Sequence, residues 1–301
     1  MQLDIKRHLI LFLFFPIIIS AQDLDPRAYA RVPIDVSFFA VGFGYTFGNV
    51  ILDPSLPLKD LDANISSPSI GAGHTMSLFG FTTQIYAVLP YAWAKVTGKY
   101  MGIDDSRTRS GLGDMRMRIS LLLLGARPIT VQELAKKSPK IVLGTSLTVS
   151  APTGQFFSDK VINIGTNRWS FKPEIGISYP FYKNWFIDFY AGVWFFTNNN
   201  SFFPGNSVRS QKPLGTIQAH LSYNFNPAMW AAVDLTYYTG GQSSVDGLKD
   251  NDDQNNVRIG GTFNLPISKK HALKFAYSTG AIIRFGADFS TISVGWQYVF
   301  L

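Results

Sequence analysis

Residues 214 to 225 keep a strict period of two: Gly215, Ile217, Ala219, Leu221, Tyr223 and Phe225 are small or apolar, and Thr216, Gln218, His220, Ser222 and Asn224 between them are polar. No helix preserves such a pattern, because successive side chains point to opposite faces only in a strand. The pattern recurs along the chain. Trp169, Phe171, Ile175, Ile177 and Tyr179 oppose Arg168, Ser170, Lys172, Glu174 and Ser178, with Pro173 as an awkward ladder position. Met229, Ala231, Val233, Leu235 and Tyr237 oppose Asp234 and Thr236, and Val257, Ile259, Phe263 and Leu265 oppose Arg258, Thr262 and Asn264.

Less regular runs lie near 36–48, 66–78, 82–98, 112–124, 140–152, 185–198, 271–280 and 288–300, which brings the expected strands to about twelve. An even number places both ends of a closed barrel on one side of a membrane. The links between strands alternate in length. Short, turn-rich links stand at 78–81, 180–184, 225–227 and 266–270, and long polar stretches stand at about 49–63, 99–111, 153–167, 199–212, 240–256 and 280–287. Outer-membrane barrels pair short periplasmic turns with long external loops in this way. The link 125–139 is long where a short one is expected, and residues 130–137 carry a helix-capping pattern, so a short periplasmic helix is expected near 130–138.

Composition excludes several classes. With 46% hydrophobic, 15% aromatic and 16% charged residues, the chain is too apolar to be disordered. It has no cysteine, which removes thiol catalysis, disulfides and thiolate metal sites. Lys6 and Arg7, the apolar residues 9–19 and the small pair Ser20 and Ala21 read as a secretory signal over residues 1–21. Beyond it, the longest apolar run, 119–124, is interrupted by Ser120 and falls far short of the ~20 residues of a spanning helix.

Orientation follows from charge, because an arginine facing lipid at mid-membrane costs ~2–4 kcal/mol. Arg116 and Arg118 share a face, so Met115, Met117, Ile119 and Leu121 must point outward. The same parity sends Arg168, Lys172, Glu174, Asp188, Gln218, His220, Asp234, Arg258 and Lys274 inward. That interior has more bases than acids and favours anionic or zwitterionic solutes, unless the groups pair to brace a filled barrel. Tyr91, Trp93, Trp169, Tyr179, Trp185, Tyr223, Trp230, Tyr237 and Trp296 read as interfacial girdles, and Tyr86, Tyr190, Trp194 and Tyr238 as interior aromatics.

Three residue patterns invite a chemical reading. His220 and Ser222, two apart on one strand, resemble the outer-membrane phospholipase A arrangement, but parity sends both inward rather than toward lipid. Asp250, Asp252 and Asp253 lack the ordered spacing of a calcium loop and read as a solvated external loop. Gly42, Gly44 and Gly48 precede no helix, so no nucleotide loop is implied. No catalytic residue, metal or cofactor is expected.

The stretches DPRAYARVP (25–33), DPSLPLKD (53–60), VLPYAW (88–93), SGLGDMRMR (110–118), SAPTGQF (150–156), NIGTNRWSFKPEIGIS (163–178), YYTGGQSSVDG (237–247) and DFSTISVGWQY (288–298) resemble the family named for the MetA-pathway of phenol degradation. The resemblance implies an exported barrel with a transport role near aromatic catabolism, and it brings no catalytic residues. The final strand is also similar to the terminal signal of barrel assembly, with Ser293, Gly295, Tyr298 and Phe300 in the signal's places.

The expectation is therefore one all-β domain, residues 22–301, forming a transmembrane antiparallel barrel in the bacterial outer membrane after removal of a signal peptide. Its partners would be outer-membrane lipids, a small solute and, during biogenesis, the assembly machinery, with no nucleic acid. Its function would be that of a channel or facilitated transporter for small solutes, with aromatic or anionic compounds as candidates. The rival is a closed structural or adhesive barrel that binds a partner through its external loops, and a lipid hydrolase is a weaker third. The pattern leaves open whether residues 22–33 enter the barrel.

Overall fold

The alternation read from the sequence becomes burial alternation. Ile175 and Val233 are 52% and 67% exposed, whereas their neighbours Glu174 and Asp234 are 3% and 1% exposed, so apolar side chains form the outer face and polar ones the inner. The computed structural model describes residues 24–51, 58–100, 103–134, 136–160, 162–284 and 286–300. The expected signal segment lies outside the described residues.

The wall begins with β1 (Val36–Ile51), β2 (Leu58–Leu78) and β3 (Phe81–Tyr100). Next come β4 (Ile103–Leu112) and β5 (Met115–Leu124), two halves of one crossing that both pair with β3. It continues through β6 (Val142–Ala151), β7 (Ser170–Tyr182) and β8 (Trp185–Phe196). After β9 (Asn199–Phe202) and β10 (Ser207–Gln211) the wall resumes with β11 (Leu214–Asn224) and β12 (Trp230–Gly240). Beyond β13 (Ser243–Val245) and β14 (Leu248–Lys249) it ends with β15 (Gln254–Pro266), β16 (His271–Ile282) and β17 (Gly286–Phe300).

Every neighbour pair in the wall is antiparallel, and β17 returns to β1 in a ladder from Ser37↔Phe300 to Ile51↔Gly286. With β4 and β5 as one crossing, the thirteen-stranded sheet is a closed barrel of twelve crossings. Closure pairs the ring of strands on both sides, which a hydrocarbon environment requires, and β4, beyond the start of β5, pairs on one side with β3.

Met115, Met117, Ile119 and Leu121 face outward, and Arg118, Ser120 and Leu122 are buried inside, as the parity argument requires. Pro173 is accommodated on the outer face. It is in register with Leu147 of β6, while the β7–β8 ladder passes from Phe171↔Phe195 to Glu174↔Gly192 without pairing the positions between them, so no ladder bond is asked of the proline on the β8 side.

Two expectations about loops are corrected. Much of 49–63 and 99–111 is strand: β1 runs to Ile51, β2 starts at Leu58 and β4 spans Ile103–Leu112. These stretches are polar because the strands extend past the apolar band, where both faces can meet water while the ladder still satisfies the backbone. The stretches 199–212 and 240–256 are also not simple loops, since β9, β10, β13 and β14 build a second four-stranded sheet at that end. There the Asp250 and Asp252 carboxylates accept from the Ser243 hydroxyl at 2.9 and 2.5 Å, and Asp253 pairs with Arg284 at 2.8 Å. Asp250 and Asp252 fold the loop onto itself, and Asp253 ties it to the neighbouring stretch at Arg284.

At the opposite end the links are short, with Phe79 and Gly80 turning β2 into β3 at positive φ. The helix α1 (Val131–Leu134) is one turn long and starts from a reciprocal cap, in which Thr130 N and Oγ1 donate to Glu133 Oε2 at 2.7 and 2.9 Å.

Candidate functional site

The inner wall carries a gap where two glycines face each other across β6 and β7, Gly144↔Gly176. Side chains from a barrel of this width would otherwise fill that space. The filler comes from the segment before β1. Residues 24–35 run inside the barrel, pinned at its short-link end by Ile34 N donating to Ile129 O (3.0 Å) and Asp35 N to Thr75 O (2.7 Å).

Tyr29 from this segment is fully buried, and a Cβ on Gly144 or Gly176 would stand 2.4 or 2.2 Å from its ring. Its ring meets Tyr190 edge-on at 5.0 Å, and the Arg118 guanidinium lies over it at 5.2 Å. Its hydroxyl donates to Glu174 Oε1 (3.1 Å) and so accepts from Ser146 Oγ (2.9 Å). Burial raises the Tyr29 phenol above its ordinary value, which keeps it a neutral donor.

Glu174 is the hub of the charged interior. It accepts from Arg118 Nη2 (3.0 Å), Lys172 Nζ (3.0 Å) and Gln218 Nε2 (3.1 Å), as well as from Tyr29. Asp25 of the inner segment adds a second carboxylate, 3.7 Å from Arg118 Nη1 and 3.4 Å from Lys274 Nζ. Buried cations and anions are thus brought together, as low-dielectric surroundings demand.

A second cluster lies nearer the short-link end. Asp188 is fully buried and accepts from Arg27 N at 3.2 Å. The Arg27 side chain donates to Asn224 Oδ1 and lies over the rings of Phe186 (4.4 Å) and Trp230 (5.5 Å). Burial lowers the Arg27 guanidinium from its ordinary value, and Asp188 opposes that shift. His220 Nδ1 meets Asp234 Oδ1 at 2.7 Å, and Thr262 donates to the other Asp234 oxygen at 2.8 Å. Ser222 is buried on the same inner face as His220. Trp230, expected in the interfacial girdle, is only 4% exposed and faces the lumen, as its parity with Asp234 dictates.

Toward the other end, Arg168 donates to Gln211 Oε1 (2.5 Å) and lies 4.4 Å over the Phe196 ring. Burial, with Arg209 nearby, draws its guanidinium down to about 10. Arg258 is buried and donates to Phe289 O, and Lys172 stands 5.4 Å from the Trp194 ring. Arg116 shares the inner face with Arg118, one step nearer that end, and is half-buried. Of the eleven residues named from parity, ten therefore stand on the inner face of the strands, and Arg168 lies just ahead of β7 at the mouth. Sequence reasoning missed Asp25, Arg27 and Tyr29, whose only outward signal is the pair of inward glycines waiting for a ring.

The family model described as "Putative MetA-pathway of phenol degradation" matches residues 42–282. The chain belongs to this family. The comparison with curated proteins found no match. Among solved structures, the COG4313 outer membrane channel from Pseudomonas putida F1 is similar with a TM-score of 0.79 at 18% identity, covering 92% of this chain and 99% of that one. The beta domain of the Bordetella autotransporter BrkA is similar with a TM-score of 0.55 at 15% identity, covering 88% and 99%. The fold is an outer-membrane-type β-barrel, similar to that of the COG4313 channel.

In this member of the phenol-degradation family, three of the stretches that carry the resemblance meet at the rim where β4 becomes β5. The Asp114 carboxylate accepts from Gly154 N (2.9 Å), Thr166 N (2.9 Å) and Thr166 Oγ1 (2.6 Å). Gly154 and Gly165 are packed so closely that a Cβ on Gly154 would stand 2.6 Å from the Gly165 Cα. This knot holds the β6–β7 loop beside the mouth from which Arg168 projects.

Proposed function

We propose that the protein is an outer-membrane channel for small solutes, exported to the bacterial outer membrane, whose lumen is closed in this structure by residues 24–35. The observation that carries the reading is the nature of the closure. The occupant of the lumen is a segment held by ion pairs, hydrogen bonds and one buried ring, not a strand of the wall. Such an occupant can leave without breaking the barrel ladder.

With the segment displaced, Asp25 leaves Arg118 and Lys274, and the exposed wall carries Arg116, Arg118, Arg168, Lys172, Arg258 and Lys274 against Glu174, Asp188 and Asp234. That excess of bases favours anions, and Gln218 and His220 offer neutral polar contacts along the same face. Small aromatic acids are the solutes that this chemistry suits best.

A second reading, a closed barrel that binds a partner through its external sheet, is favoured by the pairing of Arg118, Lys172 and Lys274 with carboxylates. Planar-bilayer recordings separate the two. The channel reading expects a variant lacking residues 24–33 to conduct, with anions preferred over cations, more readily than the full chain. Absence of conductance in both proteins across a range of salts, with small aromatic acids excluded from proteoliposomes, would overturn it.

A further inference from the structure

The recess that Tyr29 fills is built entirely from the wall. Its floor is the cross-strand pair Gly144 and Gly176, one side is the Tyr190 edge, and the Arg118 guanidinium covers the ring face. Its polar end is Ser146 and Glu174. The register of β5 to β8 comes from their own backbone ladders. Glu174 is held in place by Arg118, Lys172 and Gln218 independently of Tyr29. The floor and the polar end of the recess therefore keep their shape without the inner segment, while Arg118 and Tyr190 also meet it at Asp25 and Ala28 N.

Its chemistry is selective. An oxygen placed between Glu174 and Ser146 must donate to the first and accept from the second, which a neutral phenol does. A phenolate would be repelled by Glu174, and an aromatic hydrocarbon would leave the Ser146 hydroxyl without this partner and take one donor from Glu174. The flat slot between two glycines and a guanidinium takes a planar ring, with the cation drawn to its π-face. A saturated ring is thicker and offers no such face.

We propose that this recess is a binding site for small phenols, and that Tyr29 is its tethered occupant, so that a free phenol excludes residues 24–35 and holds the lumen open. The proposal rests on the channel reading and adds to it a ligand class and an opening signal. A ligand that binds only the open state multiplies the open population by 1 + [L]/Kd while the closed state predominates.

The absence of native cysteine provides the assay. Ala28 is buried beside Tyr29, so Ala28→Cys places one thiol where a bilayer-impermeant maleimide reaches it only after the segment leaves. Labelling is followed in proteoliposomes with p-cresol, the free analogue of the tyrosine side chain. The rate is expected to rise linearly with p-cresol, reaching about tenfold at ten times the dissociation constant. Toluene and 4-methylcyclohexanol should leave it unchanged, and Gly176→Leu, which fills the recess, should label quickly without p-cresol and ignore it.

Should Ala28→Cys fail to assemble, Ala30→Cys on the same segment serves in its place. A rate that does not respond to p-cresol up to its solubility limit, or that toluene raises equally, would overturn the proposal. If the variant lacking residues 24–33 conducts while p-cresol has no effect, the phenol site fails and the channel stands. If that variant does not conduct, the channel reading itself fails.

Discussion

Replacing Tyr29 by alanine tests how the lumen is kept shut. A buried tyrosine removes ~150–250 Å² from water, worth about 4–6 kcal/mol gross at ~25 cal/mol per Å². Because the glycine recess cannot collapse onto the vacancy, the net loss is expected near the ~3–5 kcal/mol typical of aromatic-to-alanine changes. At about 1.4 kcal/mol per factor of ten, the fraction of open channels rises between a hundredfold and a few thousandfold. Tyr29→Phe keeps the ring and loses only the bonds to Glu174 and Ser146, at 3.1 and 2.9 Å, so its effect should be smaller, about 1–3 kcal/mol. Open probability in planar bilayers, compared across the parent, Tyr29→Phe and Tyr29→Ala, gives the ordering directly. Equal open probability in parent and Tyr29→Ala would refute the claim that this side chain latches the segment.

Gly176→Ala puts a methyl 2.2 Å from the Tyr29 ring and should raise open probability toward that of Tyr29→Ala while the barrel keeps its heat-modifiable gel mobility. Glu174→Gln removes the carboxylate shared by Arg118 and Lys172, and should lower unfolding stability in urea by ~3–5 kcal/mol while increasing anion preference in reversal-potential measurements. Ile175→Arg, on the exposed outer face of β7, should cost ~2–4 kcal/mol in the same unfolding assay if that face meets hydrocarbon, and almost nothing if it does not. The bonds from Thr130 hold the Glu133 carboxyl below its ordinary range. Its folded value being the lower one, the cap contributes at neutral pH and is lost as pH falls through that value. Amide-exchange protection of α1, corrected for intrinsic rates, should therefore drop in acid for the parent and be low throughout in Glu133→Gln.

The barrel was legible because its physics is written in every residue of each strand: a lipid-facing Met117 beside an inward Arg118 permits one register only. The inner-face residues followed from the same parity. The outer sheet of β9, β10, β13 and β14 did not, because short polar strands in water need no alternation and so leave no pattern. Residue type points Trp230 to the membrane interface, whereas the parity of its own strand turns it inward, and parity wins. Whether the inner segment enters the barrel stays open in the sequence for a different reason. Asp25, Arg27 and Tyr29 act through partners 89 or more positions away in Arg118, Glu174, Asp188 and Lys274, contacts that local pattern does not encode. Gly144 and Gly176 were the readable trace, two missing side chains that fall side by side only once the register of β6 and β7 is known.

The anchoring of the inner segment at Ile34 and Asp35 has a consequence for how the protein answers its surroundings. A released stretch of residues 24–33 reaches at most ~35 Å from that pivot, so it stays within range of its seat. Tethers this short give local concentrations on the order of millimolar. Reclosure is then unimolecular, indifferent to how many copies a cell makes. The sensitivity of the response becomes a property of leash length, adjustable by adding or removing a few residues before β1 without altering the wall.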